Sequence, residues 1–278
     1  MNNFIVPIDF SETSKNAARY AAHISTLVQD AHLILYNVFD SIEYGTDSSP
    51  LGTEGEEDAS RKAIVEMALN SVKTELSGIT SAGISCVAEE SHRFLDTLEA
   101  YVKAHDIQLI VMGLTGATRM EQVLMGSNAL NIVRRAIAPV IIVPPDTHSQ
   151  SAKNVLLLTD FKDIENTIPI PSVKAVLDLF KPKLFIVNVD HEHYVQVTEE
   201  YKGERTKLEQ QLKAYNPEFY FIRLFDFVEA ANQFVADYHI DLILTFPRKH
   251  SFLSNMFKTS STKQLAYHSH VPIVAINA

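Results

Sequence analysis

The sequence predicts an α/β protein: two tandem copies of an open, mostly parallel sheet with helices on both faces. Three observations carry that prediction. Short apolar runs alternate with amphipathic segments of helical period, the arrangement of parallel strands linked by helices. The run Val155 to Phe161 repeats Ile5 to Phe10, with an Asp-Phe pair at 9–10 and again at 160–161, and Asn37-Val38 recurs as Asn188-Val189 at the same offset of 151. Farther along, Ile107-Gln108-Leu109-Ile110 recurs as Ile240-Asp241-Leu242-Ile243, and Pro139-Val140-Ile141-Ile142-Val143 is echoed by Pro272-Ile273-Val274-Ala275-Ile276, both at an offset of 133. The 18-residue difference between the offsets falls where the first copy carries an acidic segment.

Taken in order, Phe4 to Ile8 is an apolar run of the buried parallel-strand kind, ended by Asp9. Ser11 is a good N-cap for a helix whose apolar face carries Ala17, Ala21, Ile24, Leu27 and Val28. Leu33 to Val38 is the second strand. Asp40 to Asp58, rich in Ser, Gly and acid, has no core-forming pattern and reads as a loop. A second helix places Ile64, Met67, Ala68, Val72 and Leu76 in register; Ile84 to Val87 is the third strand, Leu95, Leu98 and Val102 mark the third helix, and Ile107 to Met112 is the fourth strand. A glycine-bearing segment leads to a fourth helix with Leu130, Ile132, Val133 and Ala136, and Pro139 to Val143 is the fifth strand. Pro144 to Gln150 has linker composition, which sets the domains at 1–146 and 152–278.

At 278 residues the chain is long enough for two cores, and its 46% hydrophobic and 21% charged residues are those of a globular protein. A formal charge of -10 argues against nucleic acid and anionic membrane partners, whose affinity comes from Lys and Arg. A single cysteine, Cys86, excludes an internal disulfide; set in Ile84-Ser85-Cys86-Val87, it reads as a buried inert thiol. No basic patch precedes a long apolar core at the N-terminus, and no apolar run approaches the ~18 residues of a membrane span, so a cytoplasmic location is expected.

The chemistry is concentrated between Gly113 and Asn128. Glycines stand at 113, 116 and 126, followed by Ser127, in the order strand, glycine loop, helix. Glycine lets backbone approach a ligand, and Gly126, Ser127 and Asn128 place free amide donors at a helix start where the dipole favours an anion such as phosphate. A Gly-x-x-Gly after a strand, taken alone, signals only a tight turn. The duplication supplies a control: at offset 133 the three glycines correspond to Phe246, Lys249 and Thr259. A fold that closes without these glycines does not need them for closure, so the loop reads as a ligand feature of the first copy.

These residues resemble the universal stress protein family. Its nucleotide signature is Gly, two residues, Gly, nine residues, Gly, Ser/Thr, and Gly113, Gly116, Gly126 and Ser127 match every spacing. The Ile-Val-Pro-Ile-Asp start and Pro-Val-Ile-Ile-Val end match as well, and the resemblance covers the chain as two copies, the second degenerate. It implies a five-stranded parallel sheet of order 3-2-1-4-5 in each copy, with ATP (or AMP or ADP, with or without Mg) across the carboxyl ends of strands 1 and 4. By that resemblance Asp9 meets the adenosine, Val38 offers its backbone to the adenine edge, and Pro7 and Met112 flank the base. Gly113 and Gly116 border the ribose and first phosphates, and Gly126, Ser127 and Asn128 hold the outer phosphates. Packing alone is the alternative for Pro7, Val38 and Met112, and helix capping for Asp9, since Asp160 persists in the glycine-less copy. The resemblance also implies antiparallel pairing of the last strands, here Val140–Val143 with Ile273–Ile276, making the monomer a pseudo-dimer open to further homodimerisation.

The resulting expectation is a nucleotide-binding stress or regulatory protein acting on a protein partner, without catalysis beyond weak ATPase turnover. A slow ATPase or adenylating enzyme would have to use Arg119 and Glu121, and no paired catalytic carboxylates support it. An unoccupied scaffold is the other alternative, with the acidic segment as a docking strip rather than a flap. His191-x-His193 and His268-x-His270 could each chelate from one face of a strand, but without cysteines or a clear third ligand no metal is expected. His23, His105 and His239 have no stronger claim.

Overall fold

In a computed structural model of the protein, the described residues are 1–40, 54–114, 127–135, 137–147, 150–159, 161, 163–188, 199–221, 227–246 and 270–276. The aliphatic runs become strands β1 (Asn2–Pro7), β2 (Ala31–Phe39), β3 (Gly83–Glu90), β4 (Ile107–Gly113) and β5 (Val140–Val143), then β6 (Asn154–Thr159), β7 (Lys183–Asn188), β8 (Glu218–Phe221), β9 (Leu242–Thr245) and β10 (Ile273–Ala275). Between them lie α1 (Glu12–Ser25), α2 (Glu54–Leu76), α3 (Phe94–Ala104) and α4 (Ser127–Arg135), then α5 (Ile164–Thr167), α6 (Ile170–Phe180), α7 (Glu199–Leu212) and α8 (Phe227–Asp237). This is the expected α/β architecture, a mostly parallel sheet with helices on both faces.

The chain divides into two compact units, Met1–Val111 and Met112–Ala278. In the first the strand order is β3-β2-β1-β4, every neighbour parallel. In the second it is β5-β10-β9-β6-β7-β8. Numbered from its own first strand β6, the second copy therefore reads 3-2-1-4-5, the order the resemblance implies. Within this unit every pairing is parallel except β5 with β10, which is antiparallel, with Ile142 opposite Ile273, Ile141 opposite Val274 and Val140 opposite Ala275. The pairing of the last strands is thus present. It buries all six side chains to 1% exposure or less and removes two hydrophobic edges that would template aggregation. On the other side of β5 from β10, Leu114, just past the end of β4, donates its N–H to Val143 O at 2.8 Å.

The duplication is written in backbone geometry as well as in sequence. Left-handed φ values at non-glycine residues recur at equivalent places: Phe10 (66°) and Phe161 (49°), Asp30 (53°) and Lys181 (47°), Asp106 (49°) and His239 (50°). Such a conformation is costly for L-residues, so its recurrence, under different side chains in two of the three pairs, shows that the connections demand it. A polar clamp recurs too. Asn3 Nδ2 donates to His105 O at 3.0 Å and its N–H to Gln108 Oε1 at 2.6 Å, while Asn154 Nδ2 donates to His239 O at 3.0 Å and its N–H to Asp241 Oδ2 at 2.9 Å. The stacked rings of Tyr101 and His105, 3.9 Å apart, recur as Phe234 and Tyr238 at 4.2 Å.

Three expectations about helices need correction. The second helix starts at Glu54, inside the segment read as a loop to Asp58. Its buried stripe is Leu69, Val72 and Leu76, whereas Ile64 is 65% and Met67 72% exposed. At 3.6 residues per turn Met67 lies almost opposite that stripe, so counting apolar residues there overestimated the buried face. Leu27 is 39% exposed because α1 ends at Ser25 with Thr26 as its C-cap, and Leu27 lies past the helix.

Candidate functional site

In the first unit, β1 and β4 run parallel with Ile5 opposite Ile110, and β1 pairs with β2 through Pro7 opposite Tyr36, so their carboxyl ends share one edge of the sheet. Pro7 is buried there and Val38 half-buried. The β1–β2 ladder closes with Ile8 N–H donating to Tyr36 O at 2.8 Å, and among the described residues no backbone hydrogen bond carries it on to Val38. Backbone groups face alternate sides along a strand, so Val38, two residues past Tyr36, turns its amide and carbonyl to the same side as those of Tyr36, toward β1. Asn37, between them, is buried, and its Nδ2 donates to Ile8 O at 2.6 Å.

Asp9 is exposed just past β1. Its Oδ1 accepts from Ser11 N–H at 3.0 Å and also from the Ser11 hydroxyl, and that hydroxyl accepts in turn from Ser14 N–H at 3.2 Å as the N-cap of α1. Partial desolvation works against ionisation of Asp9, but the hydrogen bonds from Ser11 and Ser14 outweigh it and hold the carboxyl below its ordinary value. Pro7, Asp9 and Val38 thus lie at the carboxyl ends of the adjacent strands β1 and β2, with Asp9 exposed and serving the helix start.

In the second unit, Met112 and Gly113 close β4, both half-buried. The helix α4 begins at Ser127, with Asn128 exposed in its first turn and Ala129, Ile132 and Val133 buried beneath. The first amides of a helix have no partner within it, the arrangement that can receive an anion. Gly116 and Gly126 lie outside the described residues, as do Arg119, Glu121, His191, His193 and His268. Phe246, in the place that half-buried Gly113 holds in the first copy, is fully buried.

Sequence reading missed Tyr36 and Glu89. Tyr36 is fully buried and its hydroxyl donates to Glu89 Oε2 at 2.6 Å, with the Tyr101 ring 4.9 Å away. Burial, and then the hydrogen bond to Glu89, push the Tyr36 phenol far above its ordinary range. A tyrosine inside the run Leu33-Ile34-Leu35 was the available signal, because a buried phenol needs a partner. Cys86 is half-buried in β3, and burial raises its thiol pKa, as an inert thiol requires.

The family model described as "Universal stress protein family" matches residues 1–144. A universal stress protein of Archaeoglobus fulgidus DSM 4304 matches over 99% of this chain and 96% of its own, with a TM-score of 0.66 and 17% identity, which shows a shared fold along both copies. UspA of Lactobacillus plantarum is 25% identical over 51% of this chain and 96% of its own, with a TM-score of 0.42. A universal stress protein solved in complex with cAMP is 19% identical over 51% of this chain and 96% of its own, with a TM-score of 0.38. A search of the curated proteins gave no significant match. No helix among the described residues is long and apolar enough to cross a membrane. A glycine signature matched at every spacing, a sheet of the implied order and a family model spanning the first copy lead to one conclusion: the chain belongs to the universal stress protein family.

Proposed function

We propose that the first copy binds an adenine nucleotide, ATP or AMP or ADP, and that the protein uses its occupancy as a regulatory signal instead of turning it over. The observation that carries this reading is the contrast inside one chain. Gly113, Gly116, Gly126 and Ser127 stand in the first copy, and Phe246, Lys249 and Thr259 stand at the glycine positions of the second. The buried Phe246 supports binding by the first copy alone. Pro7, Asp9 and Val38 take the base and adenosine, Met112 and Gly113 the other side of the base and the ribose, and Gly116, Gly126, Ser127 and Asn128 the phosphates, with Mg as an optional companion. The commitment of Asp9 to Ser11 leaves it a poor general base, which favours binding over catalysis.

Isothermal titration of the full-length protein with ATP tests this. Saturable binding that Gly126→Val abolishes, with thermal melting unchanged, is expected, because a Cβ and two methyls would fill the approach to the phosphates. Absence of binding to the folded native protein at millimolar ATP would overturn the proposal. Steady ATP turnover lost in the same variant would replace it with the ATPase reading.

A further inference from the structure

The part-buried Tyr36–Glu89 pair serves no purpose in the nucleotide scheme above, and its position suggests one. Glu89 stands opposite Val38 in the β2–β3 register, on the same face and at the same end of the sheet. It is half-buried, and one of its oxygens is fixed by the Tyr36 hydroxyl at 2.6 Å. Among the described residues Glu89 makes no other hydrogen bond or ion pair, so Oε1 keeps its full accepting capacity. An ionised carboxylate can only accept.

The second copy again acts as a control. Its β7–β8 register places Val187 opposite Tyr220, as β2–β3 places Tyr36 opposite Val87, which makes Val187 the counterpart of Tyr36 and Ile222 that of Glu89. Both members of the pair are therefore apolar in the copy that lacks the glycines. The neighbouring ring stack is kept as Phe234 on Tyr238, and a phenol still packs on it, Tyr220 at 4.9 Å from Tyr238, but that phenol donates to Glu218 at the start of β8, so the part missing is the carboxylate at the carboxyl end of the sheet. A carboxylate that is absent from this end of the sheet together with the glycines belongs with the ligand.

We infer that Glu89 is a specificity residue of the base subsite, accepting a hydrogen bond from the exocyclic amine of a 6-aminopurine beside the Val38 backbone, with Tyr36 as its positioning residue. This rests on the nucleotide reading above. A 6-amino group donates toward the free oxygen, whereas the 6-oxo group of hypoxanthine turns lone pairs toward it and is repelled. Sites that hydrogen-bond a substrate group reject analogues lacking it far better than apolar pockets do.

The test is calorimetric titration of ATP and ITP into the full-length protein and into Glu89→Ala, Glu89→Gln and Tyr36→Phe, with folding checked by thermal melting. The native protein is expected to favour ATP by about tenfold or more, and Glu89→Ala to bring the two within about threefold. Glu89→Gln, which can donate as well as accept, should gain affinity for ITP, and it decides the matter if the alanine variant does not fold. Tyr36→Phe should narrow the ratio, whereas a purely structural role for the phenol would weaken both nucleotides equally. An unchanged ATP-to-ITP ratio in folded Glu89 variants overturns the inference alone. Failure of the native protein to bind either nucleotide overturns it together with the nucleotide reading.

Discussion

Asp9→Ala separates two roles that the sequence leaves superimposed. The carboxylate accepts two hydrogen bonds from Ser11, and Ser11 in turn caps α1 through Ser14 N–H at 3.2 Å, so the substitution removes the group that orients the cap. A lost cap costs about 0.5–2 kcal/mol, and the exposure of Asp9 screens its charge, which places the expected loss near ~1 kcal/mol at neutral pH. The pH dependence has a definite sign. The folded-state pKa of Asp9 lies below the ordinary value of 3.8, so its contribution is complete well above that value and disappears as pH falls through the folded-state value. Urea unfolding of native and Asp9→Ala protein should show the deficit at neutral pH and its closure under acid conditions. Equal stability at neutral pH, or a deficit that persists unchanged in acid, would refute the linkage argument. Titration with ATP then isolates the second role: a residue that only caps leaves Kd unchanged, whereas one touching adenosine weakens it.

Other expectations follow from packing. Ile141, fully buried on β5 opposite Val274, should cost about 2–5 kcal/mol when truncated to alanine, while Met67→Ala, at a side chain 72% exposed, should stay within about 0.5 kcal/mol by the same urea assay. Lys181 holds φ 47° as the C-cap of α6, donating its N–H to Leu177 O at 2.7 Å, so Lys181→Gly should raise stability by about 1 kcal/mol in thermal melting.

The parts of the fold legible in the sequence are those that depend on local pattern or on repetition. The β5–β10 pairing is expected because the resemblance implies antiparallel pairing of the last strands, and the echo of Pro139–Val143 in the pattern of Pro272–Ile276 identifies which strands those are. The strands followed from local pattern, since unbroken aliphatic runs have few other places to go. The exposed side of α2 was not legible, because Ile64 and Met67 count as apolar wherever a helix points them. Nor was the Tyr36–Glu89 contact, made across 53 residues: nothing local to either residue names the other. Asp9 is the intermediate case: the helix start it serves was legible from Ser11, two positions on, but the hydrogen bonds between the two were not.

Joining the last strands within one polypeptide has a consequence for stoichiometry. Separate protomers held by Val140–Val143 would come apart on dilution and could exchange with relatives bearing the same strand. A tether makes the encounter intramolecular, so the one-to-one ratio of the copies is independent of expression level. A copy so secured lends its strand whatever else in it changes, and Phe246 and Val187 stand where the first copy has Gly113 and Tyr36.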